Sequence, residues 1–160
     1  MKYLAIYLND HYAGSTLGIE LATRAAKHNR GNAEFGPPLQ RLAAEIGEDR
    51  DELKRIMARL EVSEQRTRAA LGWAAEKAGR LKPNGNLLRF SPLSRVVEIE
   101  GLITGVSGKL SLWRALLAIV PSEPRLDEAN LTRLAERAED QLQRLHALRG
   151  AAAIIAFGRS

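Results

Sequence analysis

One stretch, residues 37–60, limits what this chain can fold into more than any other. Its apolar residues recur at spacings of three, four and seven, the pattern of one face of a long α-helix. Asp49 falls on the same face, inside the seven-residue gap. Because a buried carboxylate is costly unless it is paired, the pattern predicts a core helix with a specific polar contact near its middle. The apolar residues of the face are Leu39, Leu42, Ile46, Leu53, Ile56 and Leu60.

Three further segments, residues 2–29, 92–120 and 127–157, show the same periodicity. In the first, the pattern places Asn9 on the outward face; in the last, it places Ile155 on the inward face. The last helix ends in the apolar sequence AAAIIAF, which predicts that this end is covered by the chain itself or by a partner.

Four long helices and few residues that favour strands predict a single all-α domain over residues 1–160. The second helix and the third are joined by residues 61–91, which are long enough to run the length of a bundle, with a short helix expected over 64–79. The other two connections are short and favour antiparallel neighbours. The expected fold is therefore an up-down-down-up four-helix bundle with a helical crossover.

The chain also resembles a group of uncharacterised bacterial proteins of the ferritin-like superfamily. The resemblance covers nearly the whole length, and it implies the same bundle. It is carried by LNDHYAGSTLGIELA, AEIGEDRDELKRIM, WAAEKAGRLKPNG and SPLSRVVEIEGLITG.

The metal chemistry of that superfamily needs a Glu from each of two helices and Glu-x-x-His from the other two. In this sequence no Glu has a His three positions later, and Glu20 points away from the core. The sequence therefore departs from the standard di-iron ligand set. No cofactor is predicted, and a di-metal centre and enzymatic activity are not expected.

Three polar residues, His11, Asp49 and Gln141, lie on the inward faces and are predicted to form a buried polar cluster. One interpretation is that Asp49 fixes the helix register, held by Gln141, a serine hydroxyl or a buried water. The serines within reach are Ser15 and Ser107. The alternative is a non-standard metal or small-ligand site; its ligands would be His11, Glu45, Asp49 and Glu100. Glu98, Glu136 and Glu139 are interpreted as solvated charges, and His28 and His146 as surface residues.

The net charge of +5 is unevenly distributed along the chain. Residues 61–95 hold seven basic residues against three acidic ones, a net charge of +4. This basic segment is either a solvated surface or a site for an anionic partner, nucleic acid or an acidic membrane. Its basic residues are Arg66, Arg68, Lys77, Arg80, Lys82, Arg89 and Arg95.

Composition excludes several classes of protein. There is no cysteine, which excludes disulfides, thiolate metal sites and cysteine nucleophiles. No stretch approaches ~20 uninterrupted apolar residues, so no membrane span is expected. No export signal is recognised, so we expect a cytoplasmic location.

The sequence leaves three functions open. The first is a non-enzymatic bundle that acts through protein interaction, as a homo-oligomer or with another partner. The second is a degenerate metal-carboxylate protein, and the third is an anion-binding protein that uses the basic segment.

Overall fold

The computed structural model describes residues 2–64 and 90–158. These residues form four long helices and no strand, which confirms the all-α prediction. The observed bounds differ from the predicted ones by one residue at most. The predicted short helix lies almost wholly outside the described residues. The helices are α1 (Lys2–His28), α2 (Gly36–Arg59), α3 (Pro92–Ile119) and α4 (Glu128–Phe157), and a 3-10 turn (Val120–Ser122) follows α3.

The starts of α3 and α4 are closed by side chains. Ser91 and Ser94 each accept a hydrogen bond from the other's backbone N–H at 3.2 Å, a reciprocal capping box at the start of α3. Asp127 accepts from the backbone N–H of Asn130 at 3.0 Å at the start of α4. These side chains pair N–H groups that have no partner inside their helix, which fixes where each helix begins.

The core is formed by the apolar faces that the periodicity predicts. All six apolar residues of the α2 face are buried, and they share the interior with Trp113 and Leu116 of α3 and Leu134 of α4. Helix α1 packs against α2 and α3, and α3 packs against α4. Because α3 contacts two helices, its buried face is wider than a single stripe.

Asn9 and Ile155 are not where the sequence pattern placed them. Asn9 is buried, and its Nδ2 donates to the carbonyls of Ala5 at 2.9 Å and Ser63 at 3.2 Å, so it ties α1 to the chain that follows α2. Ile155, expected inside, is exposed. The last turns of α4 pack through small residues such as Ala152, which leaves the larger side chains outside.

Candidate functional site

Asp49 lies in the middle of the bundle, where α2, α3 and α4 meet, and is only 2% exposed. Its Oδ2 accepts hydrogen bonds from Lys109 Nζ on α3 and, at 3.3 Å, from Gln141 Nε2 on α4. Its Oδ1 accepts from Arg137 Nη2, also on α4. The buried carboxylate is therefore paired by two cations and one amide, and both of its oxygens are occupied.

The same contacts extend one helical turn along α2 to Glu45. Its Oε2 accepts from Gln141 Nε2 at 3.1 Å and from Arg144 Nη2 at 2.6 Å. The Gln141 carbonyl in turn accepts from Lys109 Nζ at 2.5 Å. We call this set the central network. It comprises Glu45, Asp49, Lys109, Arg137, Gln141 and Arg144.

Burial governs the electrostatics of the central network. It lowers the pKa of the Lys109 ammonium below its ordinary value of 10.5, while the charge of Asp49 and its hydrogen bond oppose that shift. Two buried donors on the same helices, Arg137 Nε on α4 and Trp113 Nε1 on α3, have no acceptor among the described residues. Both oxygens of Asp49 and the Oε2 of Glu45 are therefore engaged, while two buried donors are left without an acceptor in the described part of the chain.

The ferritin-like resemblance raises the question of a metal in this position, and the donor set does not fit one. The two α2 carboxylates already hold protein cations, whereas a metal ion needs free lone pairs on its ligands. The other two residues of the metal alternative lie elsewhere: the His11 ring packs edge-on against Tyr7 at 4.5 Å between centroids, and Glu100 is exposed. Within residues 2–64 and 90–158 no group of three or more His, Cys, Asp or Glu is arranged to hold a metal ion.

Of the three side chains predicted as partners of Asp49, one contacts it and two do not. Gln141 contacts it directly, but the two serines bond to their own helices. Ser15 Oγ donates to the Tyr12 carbonyl at 2.6 Å, and Ser107 Oγ to the Ile103 carbonyl at 2.8 Å.

Sequence reasoning missed Lys109 and Arg137. A signal existed for each, because Lys109 is the only charged residue between Gly101 and Trp113. Arg137 lies four residues before Gln141, on the same face of α4.

A second buried carboxylate lies where the end of α1 meets the start of α3. The interpretation of Glu98 as a solvated charge is wrong, because it is only 9% exposed. Its Oε1 accepts from Arg24 Nε at 3.2 Å and makes a hydrogen bond of 2.9 Å with His28 Nδ1. Its Oε2 is buried and has no partner among the described residues. Glu98 lies on the side of α3 that packs against α1, which a single-stripe analysis assigns to solvent.

Six of the seven predicted basic-segment residues, from Arg66 to Arg89, lie outside the described residues. The seventh, Arg95, is half-buried rather than solvated. Its Nε donates to Asn29 Oδ1 at 2.6 Å, and its guanidinium lies 4.4 Å from the centroid of the Phe35 ring. Arg95 therefore joins α3 to the turn between α1 and α2.

A shallow cleft of about 230 Å³ lies between α2 and α4. Its walls carry acidic and basic side chains that pair with one another, such as Arg137 with Glu48 at 2.9 Å. Its walls include Arg137 of the central network but none of the site residues predicted from the sequence. The lining residues are Glu48, Asp51, Glu52, Arg55, Arg133 and Arg137.

Among the described residues one helical stretch, Pro92–Ser122, is long and apolar enough to cross a membrane by length and composition alone, although none was expected. Its most apolar 18 residues have a mean hydropathy of 1.3, yet only 28% of them are buried in the chain. The outward side of this helix, which we call the outer α3 face, is exposed. Its residues are Glu100, Thr104, Ser107, Ser111, Arg114 and Ala118.

The apolar end of α4, expected to be covered, is not covered by the described chain. Ile154 is 74% exposed and Phe157 is 62% exposed. We call these two residues, together with the exposed Ile155 and Leu93, the apolar end patch.

Comparisons with protein-family models, with curated proteins and with solved structures found no match to this chain.

Proposed function

We propose that this chain is a non-enzymatic, cytoplasmic helical bundle that acts through protein interaction, with a second copy of itself as its first partner. The observation that carries the proposal is the outer α3 face, an exposed stripe along the most apolar of the described helices. A solvated helix face normally carries charged side chains.

The helix contacts support a ferritin-like up-down-down-up order for this bundle. Arg24, near the end of α1, bonds to Glu98, near the start of α3, as expected for antiparallel neighbours. Glu45 of α2 bonds to Arg144 of α4, while Glu52, further along α2, accepts from Asn130, earlier in α4, at 3.4 Å. Helices α2 and α4 are therefore antiparallel as well. A single crossover that runs the length of the bundle produces this up-down-down-up order.

A closed centre favours binding over catalysis. Catalytic sites in such bundles are built from side chains that project inward and leave ligand positions open. Here the inward carboxylates Glu45 and Asp49 are taken up by side chains of the same chain. The surface is then the part of the molecule that is available to a partner.

The outer α3 face is suited to a close helix contact. Between Glu100 and Arg114 its exposed residues are small and uncharged, since Lys109 is turned toward Asp49. A Cβ atom added at Gly105 or Gly108 would meet nothing within 4 Å, so another helix has room to approach. Small residues allow two helix backbones to come close together.

The charges at the two ends of this face favour a second copy in antiparallel orientation. Glu100 and Arg114 are each seven residues from Ser107. A two-fold axis at Ser107 therefore places Glu100 of one protomer opposite Arg114 of its partner, at both ends of a contact about 20 Å long. Opposite charges at both ends fix the register of such a pair.

The test is sedimentation velocity of the full chain from about 5 to about 500 μM. Glu100→Arg and Arg114→Glu should each weaken the dimer at least tenfold, because two-fold symmetry makes each change act twice and like charges are opposed. The double variant Glu100→Arg with Arg114→Glu should recover dimerisation. A matched control is Glu136→Arg, the same charge change on the exposed side of α4.

A strictly monomeric protein at 500 μM would overturn the proposal, and so would a double variant that stays as weak as the single ones. Interface area provides a second criterion, since a specific dimer should bury at least about 1,000 Å².

A further inference from the structure

We infer that the end of the bundle carrying the apolar end patch docks on an anionic membrane surface. The docking surface consists of the end patch, which enters the headgroup region, and the exposed basic residues around it, which contact lipid phosphates. It lies beside the outer α3 face proposed as the dimer contact but is distinct from it.

Ion pairs between α3 and α4 show that the patch residues share one end of the bundle. Arg114 Nη2 lies 2.7 Å from Glu139 Oε1, and Arg149 Nη1 lies 4.0 Å from Glu100 Oε1. In this antiparallel register, the start of α3 with Leu93 is level with the end of α4 with Phe157.

Nothing charged interrupts the α4 part of the patch. From Gly150 to Phe157 the sequence holds no charged residue, and Ile154, Ile155 and Phe157 are all exposed. Exposed aliphatic and aromatic side chains on one helix end gain free energy by entering the boundary between headgroups and acyl chains.

The same end of the bundle is basic. Residues 24–41, 90–100 and 149–157 hold six Lys or Arg against three Glu, a net charge of +3. Lys27, Arg30 and Arg41 are exposed and form no ion pair with any described residue. They can therefore reach lipid phosphates without breaking a contact within the chain.

The opposite end differs in charge. Residues 2–10, 51–64 and 114–136 hold seven basic residues against nine acidic ones, a net charge of −2. Within residues 2–64 and 90–158, the end that carries the apolar end patch is therefore the one whose charge is attracted to an anionic surface.

Charge also argues against a second copy as the occupant of this end. A two-fold contact through the patch would bring two ends of +3 together. A contact between the basic end of one copy and the acidic end of the next would not close and would produce a filament. An anionic bilayer matches both the charge and the apolar side chains.

The experiment measures flotation of the full chain with vesicles of phosphatidylcholine, with or without about 30% phosphatidylglycerol. We expect binding to the anionic vesicles that falls steeply with salt and little binding to the neutral ones. Each basic residue removed, in Lys27→Ser or Arg30→Ser, should lower partitioning about fivefold. Ile154→Glu combined with Phe157→Glu should lower partitioning at least tenfold.

Matched controls at the other end of the bundle are Tyr3→Glu and Arg59→Ser, which should leave partitioning unchanged.

Because the chain has no cysteine, one fluorophore can be attached at each chosen site. A polarity-sensitive label at Ile154→Cys should shift to the blue on anionic vesicles, whereas the same label at Tyr3→Cys should not.

Three results would overturn the inference: absence of binding to anionic vesicles, equal binding to neutral vesicles, or binding that the end-patch variants leave unchanged. A change in oligomeric state with Ile154→Glu, without loss of vesicle binding, would assign the patch to a protein contact and would also overturn it. Arg114→Glu lies outside the basic end and should leave vesicle binding in place, so failure of the dimer and failure of the membrane contact can be distinguished.

Discussion

The middle of the bundle and the junction of α1 with α3 both bury a carboxylate, but they satisfy it differently. Both oxygens of Asp49 accept hydrogen bonds, from side chains of two other helices. At the junction only one oxygen of Glu98 is bonded, and the other has no partner among the described residues. Within residues 2–64 and 90–158, the middle therefore contains buried N–H donors without an acceptor, whereas the junction contains a buried carboxylate oxygen without a donor.

The different bonding of Asp49 and Glu98 indicates where polar groups stabilise this fold. Three helices contribute to the central network, so removing one member affects all of their contacts. The partners of Glu98 are side chains of α1 that are partly exposed, so water can replace them. The two sites should therefore respond unequally to equivalent changes.

The largest effect is expected for Lys109→Met, which keeps the side-chain stem and removes the charge. Breaking a buried ion pair on one side costs about 3–5 kcal/mol, and the remaining contact of Asp49 with Arg137 places the expected loss near the lower limit. The free energy of unfolding in urea measures it. The double variant Asp49→Asn with Lys109→Met should lose less than the two single variants added together, by at least about 1 kcal/mol. Strict additivity would mean that the two groups do not interact.

A smaller effect is expected for Glu98→Gln. This change removes the charge and gives the unbonded position an amide donor, at a cost of about 1–2 kcal/mol. Glu136→Gln on the exposed side of α4 is the control and should stay within about 0.5 kcal/mol of the unchanged chain. If Glu98→Gln costs as much as Lys109→Met, the contrast between the two sites is wrong.

The smallest effect is a difference in pH dependence. Burial holds the pKa of Lys109 in the folded protein below its ordinary value of 10.5, so the unfolded chain binds more protons there. Stability then rises with pH between that lowered pKa and 10.5. Relative to Lys109→Met, the unchanged chain should gain stability as pH rises through this window, by at most about 1.4 kcal/mol per pH unit. Urea unfolding of both proteins at several pH values measures the difference. If the difference in unfolding free energy between the unchanged chain and Lys109→Met stays constant or shrinks as pH rises, the pKa of Lys109 is not lowered.

Much of the fold was predictable because helical periodicity is visible in a single sequence. The six apolar residues of α2 are buried as the pattern required. Asp49 could be singled out because a short acidic side chain on an apolar helix face cannot reach solvent and needs a partner inside the protein.

The partners of Asp49 were harder to predict. Lys109 and Arg137 have long stems that reach inward from the edge of a helix face, so their positions on the helix do not show where their charges lie. Glu98 was misplaced for a different reason. Helix α3 packs against both α1 and α4, and sequence periodicity indicates one contact surface per helix, not two.

The lysine beside Asp49 has a consequence for how this molecule depends on its surroundings. A bundle that is neutralised by a dissociable ion depends on the cellular supply of that ion, and a chelator can remove it. Here the neutralising charges are attached to the backbone, so dilution cannot remove them. Such a molecule can assemble in the same state whether metals are scarce or abundant.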